Sequence, residues 1–257
     1  MLDRMREIKI SRTIRVLTVN IHKGYNAFNN RFVLHELREA VRAEQSDLVF
    51  LQEVGGGSGP GQAASVGAQY EFLADQIWSD HAYGRNAVAE GQDHGNALLS
   101  RFPVRHSHNH DMSIKGSEPR GMLHCVLALD EGQPDLHVMC VHLGLSEAHR
   151  ARQMASLCET VQREVPADSP LVVAGDFNDW RSRADGMLVP AGMKEVFRGA
   201  FGHHARTFPA RWPWLRLDRI YVRGVAATRP LPLPHRPWAH LSDHAPLAAE
   251  IDLLPPP

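Results

Sequence analysis

Cysteine is scarce: the chain of 257 residues holds three, Cys125, Cys140 and Cys158, with no CxxC spacing among them. An odd total without that spacing argues against a disulfide framework and against a cysteine-built zinc site, so all three read as small buried hydrophobes. An excess of one charge is lacking too. A formal net charge of −1 speaks against a protein that grips a long run of nucleic-acid phosphates, which needs a broadly basic surface, although a local patch stays open. No unbroken apolar run opens the chain. The stretch MLDRMREIKISRTIRVLTVN spreads charges through its first fifteen residues, unlike a signal peptide or a membrane-spanning helix, and predicts a cytoplasmic protein. No repeat of fixed period is present. The glycine-rich run GGGSGPG at 55–61 reads as a loop and the terminal PPP as a tail.

What is present suits a folded domain, since 43% hydrophobic and 22% charged residues favour neither disorder nor a membrane span. Residues 14–19 form an apolar, β-branched run suited to a buried strand, and 31–44 carry Phe32, Val33, Leu37, Ala40 and Val41 at helical spacing. Residues 47–51 read as a second buried strand. Strand-like runs follow near 95–100, 121–129 and 136–141, then a helix around 146–163 and strands at 171–174, 217–222 and 246–251. Each half thus holds a helix between strands, which fits two sheets packed face to face with helices outside. No proline-rich or charged linker separates the halves, so one domain over 1–257 is expected, its core at about 14–252.

The buried runs repeatedly end in a polar group. VLTVN ends at Asn20, a residue type that also serves as a plain turn former. LVFLQEV carries Glu53 beside Val49, Phe50 and Leu51, where a carboxylate is costly to desolvate unless water, a partner or a cation stabilises it. Magnesium, a hard cation that takes one or two carboxylates, is a natural partner. HVMCVHLG puts His142 at the end of an apolar run, and LVVAGDFND puts Asp176 and Asn178 after another. Two positions apart in extended chain, these two side chains face the same way and together can orient a water; a helix cap before Trp180 is the competing reading for Asp176. LRLDRIYV carries Asp218 inside a strand and HLSDHAPL carries Asp243 and His244. A buried aspartate facing a histidine fixes its tautomer, so Asp218 and His244 read as a dyad. Of the 16 histidines, only His142 and His244 lie in informative strings, and residues such as His35, His81 and His203 read as surface or packing groups.

The strings NIHKG, LQEV, HGNALLSR, VHL, AGDFND, LDRIYV and LSDHAPL occur in this order over about Arg15 to Ile251. Together they resemble the motif series of the endonuclease/exonuclease/phosphatase family, in its DNase I-like and sphingomyelinase-like branches. The resemblance implies a four-layer α/β/β/α sandwich with two central, mainly antiparallel sheets flanked by helices. It also implies metal-dependent hydrolysis of phosphate esters. Glu53 resembles the principal magnesium ligand with Asn20 beside it, and manganese is a substitute cation. Asp176 and Asn178 match the pair that positions the nucleophile, Asp218 and His244 the acid–histidine dyad, and His142 a histidine on the scissile phosphate. Asn96 is a phosphate-side candidate, and Arg120 is either a phosphate neutraliser or a surface ion pair. His22 stands where some relatives place an acid, which leaves Asp243 as a further metal ligand or a single ion as sufficient.

The implied substrate is a phosphodiester before a phosphomonoester. A specific DNA or RNA endo- or exonuclease is the alternative, though charge gives it no support, and peripheral membrane contact stays open. Two rivals remain: a binding protein for a phosphorylated ligand that has lost catalysis, and a metal-free hydrolase built on Ser242, Asp243 and His244. In TFPARWPWLRLD, Phe208, Trp212 and Trp214 could stack on a base or meet a lipid interface, but core packing of at least two of them is the expectation.

Overall fold

The computed structural model describes residues 12–56, 68–89, 92–130 and 132–254. The charged extreme N-terminus, most of the glycine-rich run and the proline tail lie outside these residues. The chain opens with β1 (Thr13–Asn20), α1 (Leu34–Ala43) and β2 (Leu48–Gly55), a right choice of elements for a crossover unit, since β1 and β2 pair in parallel. α2 (Gln69–Ala74), β3 (Asp80–Ala89) and β4 (Gln92–Ser100) follow. The second half brings β5 (Val104–Asp111), β6 (Gly121–Leu127), β7 (Leu136–His142), α3 (Glu147–Glu164) and β8 (Leu171–Asp176), and here β7 and β8 pair in parallel across α3. The chain closes with α4 (Asp185–Leu188), β9 (Lys194–Glu195), α5 (Val196–Phe201), β10 (Asp218–Arg223), β11 (Val225–Leu231), α6 (His235–Leu241) and β12 (Leu247–Leu253).

Two six-stranded sheets result, ordered β11-β12-β1-β2-β4-β3 and β5-β6-β7-β8-β10-β9. Apart from the two parallel pairs, the strand pairings are antiparallel. Alternation along each central strand feeds two cores at once. In β1, Ile14 and Val16 pack between the sheets with Phe50, Val138, Val172 and Ile220, while Leu17 and Val19 face outward onto Leu37 and Val41 of α1 and Trp238 of α6. In the second sheet Cys140 and Ala174 face inward, whereas Met139, Val141 and Val173 meet Leu157 and Val161 of α3 and Leu188 of α4. The architecture is therefore the expected α/β/β/α sandwich. Among the described residues, no helix is long and apolar enough to cross a membrane.

Four strands escape the sequence reading: β3, β5, β9 and β11. They are the four outer strands of the two sheets. An edge strand is buried on less of its surface and carries polar residues against open pairing, so it lacks the apolar run that announces a central strand. VRHSHNHD in β5 is mostly exposed or half-buried. Cys125 and Cys140 are buried as expected, and Cys158 is half-buried.

Candidate active site

Several central strands end at the same edge of the sandwich. Asn20 is the last residue of β1, His142 of β7 and Asp176 of β8, and Asp218 is the first of the antiparallel β10. Register brings Asp176 opposite both His142 and Asp218. Glu53 is delivered by an irregularity: the β2–β4 pairing slips between Leu51 and Val54, and Glu53 takes φ of 55°. A bulge re-aims one side chain out of the alternation, and here the re-aimed group is the carboxylate. Asn178, with φ of 50°, is the second residue of the set in left-handed backbone.

Asp176 is the hub. Its Oδ1 accepts from the Asn178 backbone N–H at 2.8 Å, and its Oδ2 accepts from Asn20 Nδ2 at 3.2 Å. The same amide donates to Glu53 Oε1 at 3.1 Å, so Asn20 ties the first sheet's carboxylate to the second sheet's. His142 Nε2 lies 3.5 Å and His244 Nε2 3.7 Å from Asp176 Oδ2. His244 Nδ1 contacts Asp218 Oδ2 at 2.9 Å, which forms the expected dyad. Asp176 binds no helix start; the nearby Asp179 Oδ2 accepts from the N–H of Ala184, the residue before α4, at 2.8 Å.

The charges divide by environment. Burial pushes the Asp176 carboxyl up to about 6, with His244 pulling it down and Asp218 adding to the rise. Burial alone would lower His244, but the Asp218 and Asp176 carboxylates outweigh it and raise the imidazole to about 10. Burial, reinforced by the positive Arg120 and His244, holds His142 well below the usual histidine value. The result is a proton-holding His244, a neutral His142 and an Asp176 with unusual affinity for a proton.

The remaining expected residues divide into those at the site and those behind it. Arg120 is only 5% exposed; its guanidinium pairs at 2.8 Å with the exposed side chain of Glu118, and its Nη1 stands 3.5 Å from His142 Nδ1, so the ion pair and the place beside the site coexist. Asp243 lies 3.9 Å from His22 Nδ1, and the backbone N–H of His22 donates to Asn20 Oδ1 at 3.0 Å. Asn178 Nδ2 is spent on the Leu143 carbonyl at 2.9 Å. Asn96 corrects the expectation of a phosphate contact: it is fully buried, and its amide braces the carbonyls of Gly121 (2.9 Å) and Cys140 (3.2 Å) between the sheets. The serine triad is not assembled either, because Ser242 Oγ donates to the Asn20 carbonyl at 2.6 Å while the His244 ring faces Asp218 and Asp176. The aromatic loop also departs from expectation. A bridge between Phe208 and Leu215 pinches its base, and Trp212 and Trp214 at the tip are 80% and 63% exposed. Phe208 alone packs inward, its ring 5.0 Å from that of His244.

Magnesium, which the resemblance implies, fits the donor chemistry. Glu53, Asn20 and Asp243 offer oxygen, and among the described residues no basic side chain lies within 4.0 Å of Glu53 to neutralise it. Asp218 Oδ1 is buried without a hydrogen-bond partner, which marks a local excess of acceptors. Ligand-capable atoms of Asp176, Asp218 and His244 also converge within 4.8 Å. His244, however, is held in its protonated form by the two carboxylates, and an imidazolium offers no lone pair.

The model of the Endonuclease/Exonuclease/phosphatase family matches residues 17–244. The Escherichia coli (strain K12) protein YbhP, described as uncharacterised, is 54% identical over 246 residues, which span 94% of this chain and 97% of that protein. Among solved structures, an endonuclease/exonuclease/phosphatase from Beutenbergia cavernae DSM 12333 superposes with a TM-score of 0.77 at 22% identity, over 94% of this chain and 72% of its own. TDP2 of D. rerio, complexed with a single-strand DNA product, gives 0.67 at 16% identity, over 93% and 98% of the two chains. At these identities the structural likenesses concern the fold.

Proposed function

The chain belongs to the endonuclease/exonuclease/phosphatase family, whose members are metal-dependent hydrolases of phosphoester bonds, and on that premise we propose that it is a phosphodiesterase acting from the cleft around Asp176. The observation that carries the reading is the linkage of Glu53, Asn20, Asp176, His244 and Asp218 through hydrogen bonds and close ion pairs that join the ends of both sheets. A retired binding cleft has no need to keep a buried carboxylate raised to about 6 beside an imidazole raised to about 10.

The chemistry a bound Mg²⁺ supplies is stabilisation of charge developing on the phosphoryl oxygens, with Glu53, Asn20 and Asp243 to hold it and Mn²⁺ as a substitute. Asp176, fixed by the Asn178 N–H and the Asn20 amide, accepts a proton from the attacking water. His244, kept protonated by Asp218, donates to the phosphate or to the leaving oxygen. His142 and Arg120 line the same side as neutral and positive hydrogen-bonding groups.

The test is hydrolysis of bis-p-nitrophenyl phosphate beside p-nitrophenyl phosphate, with Mg²⁺, Mn²⁺ or EDTA, in wild type, Glu53→Gln and His244→Ala. Expected are diester cleavage that EDTA stops, a weakened metal dependence in Glu53→Gln, and a turnover about 10³-fold lower in His244→Ala. Preference for the monoester would make the protein a phosphatase. Unchanged turnover in His244→Ala would overturn the mechanism, and inactivity of the folded wild type on both esters would favour the binding-protein reading. One observation favours a second reading, a nuclease: Trp212 and Trp214 project from a loop whose base, Phe208, lies against His244. Cleavage of a short single-stranded oligonucleotide with quenching of tryptophan fluorescence, lost in Trp212→Ala, would select it.

A further inference from the structure

A second group of ligating side chains lies outside the cleft, on the outer face of the second sheet. Strands β5, β6 and β7 contribute His110, His124 and His137, and the last residue of α3 contributes Glu164. His110 Nε2 stands 3.2 Å and His124 Nδ1 3.4 Å from the same oxygen, Glu164 Oε2, and one ligand-capable atom from each of the three residues lies within 4.8 Å of the others. In a tetrahedral shell with metal–ligand bonds of about 2.0–2.1 Å, neighbouring ligand atoms are about 3.3 Å apart. The two contacts to Glu164 have that spacing.

The outer contacts of the cluster hold the same three atoms toward one point. Glu164 Oε1 is taken up by Arg163, at 2.7 Å from Nη2 and 3.2 Å from Nε, which leaves Oε2 to the imidazoles. His124 Nε2 lies 2.9 Å from His137 Nδ1; a hydrogen on that Nε2, donated to His137, leaves the His124 Nδ1 lone pair free. His110 Nε2 is buried and makes no hydrogen bond, its approach to Glu164 notwithstanding. A buried nitrogen with no partner is costly, and a cation between it, His124 and Glu164 would remove that cost.

We infer that His110, His124 and Glu164 form a Zn²⁺ site separate from the magnesium cleft, with an open fourth position beside the exposed His108, whose ring is 4.5 Å from that of His110. Two imidazoles and one carboxylate are a zinc donor set, and imidazole is a poor match for magnesium. The ion ties the edge strand β5 to the end of α3.

The experiment is calorimetric titration of the EDTA-stripped, desalted full chain with ZnCl₂ in excess Mg²⁺, in wild type, His110→Ala, Glu164→Gln and the cleft variant His244→Ala. His110 and Glu164 are partly exposed, so both variants should fold, and circular dichroism checks that they do. Expected is one Zn²⁺ per chain in wild type and in His244→Ala, with affinity at least tenfold lower in His110→Ala and Glu164→Gln and diester hydrolysis unchanged in both. Co²⁺ in place of Zn²⁺ should give the visible absorption of a tetrahedral nitrogen–oxygen shell. No binding to His244→Ala, or equal affinity in His110→Ala and wild type, would overturn the site; either result leaves the phosphodiesterase reading untouched, because the cleft assay is independent of it.

Discussion

Asp218 touches His244 with one oxygen and leaves the other buried without a partner. That asymmetry makes its charge, more than its shape, the feature that keeps His244 protonated. Asp218→Asn should therefore preserve the fold and lower kcat by about 10³- to 10⁴-fold with little change in KM; a loss below tenfold would remove the dyad from the mechanism. A different aspartate carries stability. Asp185 accepts from Tyr221 Oη at 2.5 Å, faces His204 Nε2 at 2.9 Å and pairs with Arg198. Burial would raise its carboxyl, but the Tyr221 hydroxyl, His204 and Arg198 together hold it below its ordinary value. A carboxyl depressed in the folded state adds stability above its unfolded pKa and loses it as pH falls through the folded one. Asp185→Asn should cost roughly 2 to 4 kcal/mol in urea unfolding at pH 7. The gap from wild type should narrow below a pH of about 3.8. A gap that stays constant with pH would assign the loss to packing instead.

At the scale of elements, the cleft depends on how closely β7 and β8 approach. Gly175, one residue before Asp176, has φ of 145°, and a Cβ there would lie 2.0 Å from the Val141 carbonyl oxygen of the neighbouring strand. Gly175→Ala should force the strands apart, destabilise by about 3 kcal/mol or more and displace Asp176 from His142. Gly199, inside α5, offers the opposite sign: a Cβ there meets nothing within 4 Å. Gly199→Ala should stabilise by roughly 0.5–1 kcal/mol through helix propensity. Thermal unfolding of the pair checks both, and equal melting temperatures would deny the close approach its role. The bulge in β2 belongs to the same scale, since without the slip at Gln52 and Glu53 the carboxylate would follow the strand's alternation instead of turning to Asn20.

For the whole molecule, β12 lies between β1 and β11, so Arg15 sits opposite Glu250 and the two ends of the chain complete one sheet. Each sheet also needs the other to cover its inner face. We propose a single domain on that ground, and expect urea unfolding followed by far-ultraviolet dichroism and by tryptophan fluorescence to coincide in one transition. Two separated transitions would divide the domain at the sheet interface. Pairing over such sequence distances also predicts folding on the slow side for the chain's size.

The sequence by itself determined the central strands, because strands covered on both faces must be apolar throughout, and it determined which polar residues end them. Asn20, Glu53, His142, Asp176, Asp218 and His244 were legible because each interrupts or closes an apolar run. It did not disclose the edge strands, whose polar residues resemble loops, nor the outward turn of Trp212 and Trp214. Only the tertiary structure decided what meets what. Alternation tells which face a side chain takes but not which strand lies beside it, so the bond from Asn20 to Asp176, 156 positions away, and the convergence of His110, His124 and Glu164 have no local signature. Asn96 shows the same limit in reverse: its place in a motif suggested the cleft, and close packing between the sheets put it behind.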